Sequence, residues 1–303
     1  MVDIKENFTS HIIDLQAKNC KSIEKIDKKS KFKKENWKRP GGGGGITMVL
    51  ENGNIFEKAA INTSIVHGKL TKLLKQKMST EFSNFYACGI SIIIHPTNPF
   101  IPTIHSNFRY FEIYDNKKRI NEAWFGGGID LTPYYINKND IIFFHTFLKQ
   151  KCDKYDINFY NKFKSQCDQY FYNHHRKEAR GVGGIFYDYL GKGDKKNWKN
   201  LMNFQKEISS SFLKIYLPIV NNNKSLFYTE SQKYWQELRR GRYVEFNLIH
   251  DKGTHFGIQT NGRIESIFVS LPPKVRWDYN FIPEQNSKEQ ELINILKNPV
   301  KWI

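Results

Sequence analysis

From about residue 46 to the C-terminus, short runs rich in β-branched and aromatic residues alternate with longer amphipathic stretches, and no Pro/Ser-rich linker, internal repeat or low-complexity tract divides them. Elements with one apolar face must bury that face against each other, so an undivided alternation of this kind restricts the chain to one core shared by strands and helices. Strand-like runs fall at Ile46–Leu50, Gly89–His95, Asn107–Tyr114, Ala123–Phe125, Gly184–Tyr189, Arg242–Ile249, His255–Thr260 and Ile264–Leu271. Helical patterns fall at Leu70–Phe82, Asp140–Tyr155, Phe159–His174, Trp198–Tyr216, Ser231–Leu238 and Lys288–Leu296. Asp251-Lys252-Gly253 and Asn261-Gly262 read as turns joining the last three strands, because Asn-Gly readily takes the positive φ angles of a type I′ hairpin. A strand meander beside helices predicts an α+β fold, a large antiparallel sheet flanked on both faces by helices, rather than a doubly wound parallel sheet.

Residues 1 to 40 differ in character. They hold eleven Lys/Arg and six Asp/Glu, and Lys21–Arg39 shows little apolar periodicity before the glycines at 41 to 45. The expectation is an N-terminal helix and a mobile linker over 1–40, then a single domain over 41–303. Aromatic residues make up 15 % of the chain, which excludes general disorder. No run approaches the roughly 18 apolar residues that span a bilayer, and MVDIKENFTS has no apolar signal core. Cys20, Cys88, Cys152 and Cys167 form no C-x-x-C pair. They read as free packed thiols, and a cytoplasmic location follows as the expectation. The net charge of +17 speaks to association with anions and to solubility, not to fold.

The chemistry-bearing residues cluster on two of the strand-like runs. His105, Asn107 and Arg109 alternate and so share a face, with Phe108 and Tyr110 on the other; Ser91 and His95 share a face of the preceding strand. A His-Asn-Arg row combines a titrating group, an amide and a bidentate carboxylate binder. Gly126-Gly127-Gly128 lacks dinucleotide-loop spacing and reads as a close approach of backbone to something bulky. Asp130, just beyond, either accepts N–H groups of a ligand or bonds its own turn; local sequence leaves both open. Arg180 beside Gly181, and Arg239-Arg240-Gly241-Arg242, suggest a pocket for a ligand with several carboxylates or phosphates.

With those residues in view, the sequence resembles the oxygen-dependent coproporphyrinogen III oxidase family. The stretches that carry the resemblance are FEKAAINTSIVHG (56–68), IIIHPTNPFIPTIHSNFRYF (92–111), WFGGGIDLTPYY (124–135), HRKEARGVGGIFYD (175–188) and RRGRYVEFNLIHDKGTHFGIQTNGRIESIFVSLPP (239–273). The resemblance implies a homodimer whose subunit is a flat antiparallel sheet between helical layers. It implies conversion of the ring A and B propionates of coproporphyrinogen III to vinyl groups in haem synthesis, with dioxygen as co-substrate and no flavin, haem or nicotinamide. It further implies that Ser91, Asn107, Phe108, Arg109, Asn261, Gly262 and Arg263 bind substrate, that His105 donates a proton, and that Asp130 and Asp251 take part in the chemistry. His95, His105, His145 and His175 match positions assigned to a divalent metal in bacterial relatives. Lys252 stands where relatives usually have Arg, and Asn261 where many bacterial members have Gly. An apolar segment over 243–278 is expected to form the dimer interface, and neither nucleic acid nor a membrane span is expected. Two other classes would explain single features: a basic RNA-binding module the charge, and a histidine-site metal hydrolase the imidazoles.

Overall fold

The computed structural model describes residues 3–259 and 262–303. Its frame is one sheet of seven strands: β1 (Lys33–Lys38), β2 (Gly43–Glu51), β3 (Phe56–Lys69), β4 (Asn84–Pro96), β5 (Thr103–Tyr114), β6 (Ile120–Thr132) and β9 (Gly183–Leu190). They pair in that order and every neighbouring pair is antiparallel. Two short strands, β7 (Tyr172–Asn173) and β8 (Glu178–Ala179), pair separately. The antiparallel α+β architecture expected from the sequence is therefore the one observed.

Period-two alternation sorts the side chains. One face carries Ile61, Ile92, Ile104, Phe108, Ile129 and Ile185, all buried in the main core. It is covered by α1 (Ile4–Asp27), α3 (Lys138–Asp153), α5 (Trp198–Ser210) and α6 (Phe212–Asn223), which bury Phe8, Ile12, Phe144, Leu148, Phe204, Ile208 and Ile215. The opposite face is covered less completely. Leu74 of α2 (Lys72–Met78) packs with Phe85, Phe111 and Trp124 at one end. At the other, Tyr243 of α7 (Glu230–Ile249) packs on Ala60 and Ile93. A polar strip lies between these two covers. The chain then passes through α4 (Phe159–Tyr170), α8 (Lys252–Gln259), α9 (Ile264–Phe268) and α10 (Lys288–Lys297).

The predicted C-terminal meander is not formed. Arg242–Ile249 is the second half of α7, His255–Gln259 belongs to α8, and Ile264–Phe268 is α9. Thr229 and Gln232 close a capping box at the start of α7, and Trp235, Arg239, Tyr243 and Phe246 continue at helical spacing as buried residues, so the helix runs through the apolar segment. Gly262 lies between two helices, its N–H donating to the Gly257 carbonyl, and Asn261 lies outside the described residues. The N-terminal helix is present, but it is packed into the main core, and β1 lies within the segment expected as a linker. The glycine run is tolerated in β2 because its neighbours crowd it: a Cβ on Gly45 would stand 2.4 Å from the Trp37 ring.

Asp27 ends α1 and ties it to the β2–β3 connection. Its fully buried carboxylate accepts the backbone N–H groups of Ser30 (3.0 Å), Asn54 (3.1 Å), Ile55 (3.0 Å) and Phe56 (3.0 Å). Burial opposes ionisation, but these N–H groups hold its pKa below the ordinary carboxylate value. We expect Asp27→Ala to destabilise the fold by about 2–4 kcal/mol at neutral pH, since it orphans several donors at once. A depressed folded-state pKa means this contribution is full above pH ~4 and lost as pH falls further, so the gap between parent and variant in urea melts should narrow in acid.

Candidate functional site

Register builds the site. Glu35, Thr47, Asn62, Ser91, Asn107, Gly128 and Phe186 are direct cross-strand partners in succession, and so form one lateral row across all seven strands on the partly open face. The adjacent row contains Ser64, Gly89, Arg109 and Gly126; the row on the other side contains Ala60, Ile93, His105, Asp130 and Gly184. With strands about 4.8 Å apart, the floor from Asn62 to Gly128 is about 14 Å wide. Ser91, His105, Asn107 and Arg109 are each partly exposed on it. Phe108, expected among the binding residues, is fully buried on the opposite face and offers the site only its backbone.

Gly126 is the cross-strand partner of Arg109, and its missing side chain is what lets the guanidinium lie down. A Cβ there would stand 2.6 Å from Arg109 Nε. The bulky groups approached by the triple glycine are thus the protein's own: Arg109 at Gly126, Phe108 and Tyr187 at Gly127, and the Ile185 carbonyl at Gly128. Arg109 Nη1 donates to Asn107 Oδ1 at 3.0 Å, and Nη2 pairs with Asp188 at 3.0 Å.

His105 and Asp130 are also direct cross-strand partners, joined Nδ1 to Oδ1 at 2.8 Å. The second carboxylate oxygen of Asp130 accepts Arg180 Nη2 at 2.6 Å. Asp130 is 2 % and Arg180 3 % exposed. Burial opposes charge on Asp130, but the Arg180 guanidinium and the His105 hydrogen bond keep its pKa below the ordinary value. An ionised carboxylate only accepts, so His105 donates through Nδ1–H, leaving Nε2 as the ring nitrogen not engaged by Asp130. Asp130 is therefore a buried strand residue, neither a turn former nor a carboxylate open to ligand N–H groups. The Arg180 guanidinium carbon sits 4.0 Å from the Phe171 ring centre, 4.7 Å from Phe246 and 4.8 Å from Tyr243.

Asp251 accepts Tyr170 Oη at 2.8 Å and, through its other oxygen, the Thr254 N–H at 2.7 Å, which makes it the N-terminal cap of α8. Tyr170 in turn stacks on Phe186, centroids 4.2 Å apart, at the end of the Asn107 row. Arg263 precedes α9 and pairs with Glu35, while Ser266 bonds Thr47 at 2.9 Å and accepts Asn62 at 3.1 Å through its carbonyl. Thus α9 packs over the β1–β3 part of the row, and α8, capped beside Tyr170, lies in contact with α9. The Arg239–Arg242 cluster, expected to face an acidic ligand, is instead spent on the protein's own carboxylates: Arg239 on Glu178 (2.8 Å), Arg240 on Glu57 (2.7 Å) and Arg242 on Glu245 (2.7 Å).

The four candidate metal histidines are not brought together. His95 is fully buried and engages Thr103 Oγ1 (3.2 Å) and the Ser270 carbonyl (2.9 Å). His145 lies in α3, beneath the other face, between Tyr160 Oη (3.0 Å) and the Val182 carbonyl (3.1 Å), and burial pushes its pKa down to about 3. His175 bonds Glu245 (2.8 Å) and His250 (2.9 Å). Among the described residues no three His, Cys, Asp or Glu side chains are placed to hold an ion. These four side chains, each engaged by separate protein partners, do not fit a shared divalent cation. Tyr170, Phe171, Phe186, Tyr243 and Phe246 were not legible as site residues, because apolar spacing signals only burial, and Asp188, although it ends the 175–188 stretch, has no local pattern that pairs it with Arg109.

The family model described as coproporphyrinogen III oxidase matches residues 7–302. The chain is 46 % identical over 311 residues to coproporphyrinogen-III oxidase 1, chloroplastic, of Arabidopsis thaliana, covering 99 % of this chain and 80 % of that protein. It is 45 % identical to the oxygen-dependent coproporphyrinogen-III oxidase of Drosophila melanogaster (96 % and 76 % covered) and 42 % identical to the mitochondrial one of Homo sapiens (99 % and 68 % covered). Similarity at this level runs through the strands that carry Ser91, His105, Asn107, Arg109 and Asp130 as well as the helices around them, and the chain belongs to the coproporphyrinogen III oxidase family.

Proposed function

We propose that the protein catalyses the oxygen-dependent oxidative decarboxylation of the ring A and B propionates of coproporphyrinogen III, giving protoporphyrinogen IX in haem and porphyrin synthesis. The observation that carries this reading is the flat polar floor holding Ser91, Asn107 and Arg109 in adjacent rows beside His105. A planar-edged tetracarboxylate finds there a guanidinium for a carboxylate, amide and hydroxyl partners, and no side chain at Gly89, Gly126 or Gly128 to lift it off the sheet. Each propionate consumes one dioxygen and one proton and yields a vinyl group, carbon dioxide and hydrogen peroxide. The two electrons that reach oxygen come from the propionate side chain through the electron-rich pyrrole that bears it, and the ring ends at its starting oxidation level. Arg109 holds a carboxylate, and His105, kept in one tautomer by Asp130, handles the proton at Nε2. The RNA-binding and metal-hydrolase alternatives gain no supporting arrangement among the described residues. The four cysteines are buried free thiols, in line with a reducing cytoplasmic setting, although the plant and mammalian relatives are named as chloroplastic and mitochondrial.

Incubation with coproporphyrinogen III should give protoporphyrinogen IX in air and none under strict anoxia; undiminished anaerobic turnover would remove the oxidase reading. His105→Gln should lower turnover by about 10²-fold or more while leaving binding of the oxidised, unreactive coproporphyrin III within a few-fold. A comparable loss of binding would instead make His105 a substrate-holding group.

The protein is further proposed to be a homodimer. The basis differs from the apolar meander expected over 243–278: Tyr243 and Phe246 are buried within the subunit, whereas Leu248 and Ile249 at the end of α7, and Ile258, Ile264 and Trp277 beyond it, are exposed. Five large apolar side chains in one stretch need cover. Sedimentation should show a dimer at micromolar concentration, and Ile249→Asp with Ile264→Asp should shift it toward monomer.

A further inference from the structure

We propose that Asp188 is a resident competitor for Arg109, a carboxylate that occupies the guanidinium until a substrate propionate displaces it, and so a residue that sets how strongly carboxylates are held at this position. The proposal rests on the reading of Arg109 as a carboxylate binder. Asp188 Oδ2 lies 3.0 Å from Arg109 Nη2, and the two side chains are 37 % and 34 % exposed, so the pair sits at the edge of the site where solvent and ligand reach it.

The backbone is arranged to hold Asp188 there. The β6–β9 register shifts between Phe125 and Gly127: Phe125 pairs with Leu190 but Gly127 with Tyr187, leaving Asp188 and Tyr189 as the bulged residues. Tyr189 takes φ +53°, a left-handed conformation that is unfavourable for a bulky side chain. Two contacts offset that strain: the Tyr189 ring packs on Trp124 with centroids 5.1 Å apart, and the Tyr189 N–H donates to Asp188 Oδ1 at 3.0 Å. A bulge of this kind re-aims a side chain. Here it directs one carboxylate oxygen to Arg109 while the other stays on the backbone.

Exchange of one carboxylate for another is close to balanced. Displaced Asp188, already partly in water, can be solvated, whereas Arg109 on its glycine floor keeps a counter-charge throughout. Substrate bearing four carboxylates gains on several contacts at once. A ligand presenting a single carboxylate to Arg109 gains little over Asp188. The arrangement discriminates against small carboxylates and eases release of a product that has lost two propionates.

The test is fluorescence titration of coproporphyrin III, which cannot react, and of acetate as a competitor. Asp188→Asn should tighten both about two- to five-fold, the range for a half-exposed ion pair, and the gain should shrink as salt is raised. Asp188→Ser should act in the same direction, guarding against an effect of one amide. In an Arg109→Gln background the Asp188→Asn gain should vanish; a gain that persists there reports only a general loss of negative charge and overturns the proposal. Unchanged or weaker binding by Asp188→Asn in the parent also overturns it, making Asp188 a brace for the pose of Arg109. If Arg109→Gln alone leaves coproporphyrin binding unaltered, the carboxylate reading of Arg109 fails first, and the competitor role fails with it.

Discussion

A guanidinium enclosed by three aromatic rings must have a counter-charge inside the protein, and the Arg180–Asp130 pair meets that demand at the centre of the molecule. Removing one partner of such a pair leaves the other charged and unsolvated, typically a loss of about 3–5 kcal/mol, so the pair commits everything attached to it. Phe171 follows α4, Tyr243 and Phe246 come from α7, and Asp130 from β6, so one ion pair holds two peripheral helices against the sheet edge. The same carboxylate orders His105. Its first oxygen fixes the imidazole tautomer because its second is saturated by Arg180. Stability and the orientation of His105 therefore share one side chain, and a substitution at position 130 cannot be read through His105 alone.

The polar floor is supported from both sides of the sheet. Beneath Arg109 and Gly126, Gln205 of α5 reaches up from the opposite face and donates to both carbonyls, at 3.2 Å and 2.9 Å, while Tyr187 donates to Gln205. A buried amide that satisfies two carbonyls and one hydroxyl leaves no orphaned group, which lets a polar side chain persist in an apolar layer. Glycine then does on the upper face what the amide does below. It removes bulk where the guanidinium must lie flat. The site is consequently a surface built into the rigid sheet rather than one suspended on loops, the more precise way to hold a reacting group.

Alternation in the sequence was enough to place His105, Asn107 and Arg109 on one face with Phe108 on the other, because a strand repeats every two residues whatever surrounds it. The long β3 was not legible. Its site-facing positions, Asn62 and Ser64, are polar on a strip that is only partly covered, so the run lacks the apolar signal of a buried strand. The reverse error occurred at Arg242–Ile249, where a β-rich composition lies in a helix whose burial against the sheet, Arg180 and Phe171 outweighs local preference.

The amino-acid sequence by itself determined the antiparallel α+β architecture, the shared face of the His-Asn-Arg row and, through long ordered motifs, the family. Tertiary structure alone decided which charges meet. Arg180 and Arg109 both read as carboxylate binders in the sequence, yet one is sealed on Asp130 and the other lies open beside Asp188. His105 stays partly exposed on the floor, held by Asp130, while His95 and His145 become buried neutral groups. The physical reason is that a residue's charge state and availability depend on burial and on partners tens of residues away, set by register and packing, which no local pattern encodes.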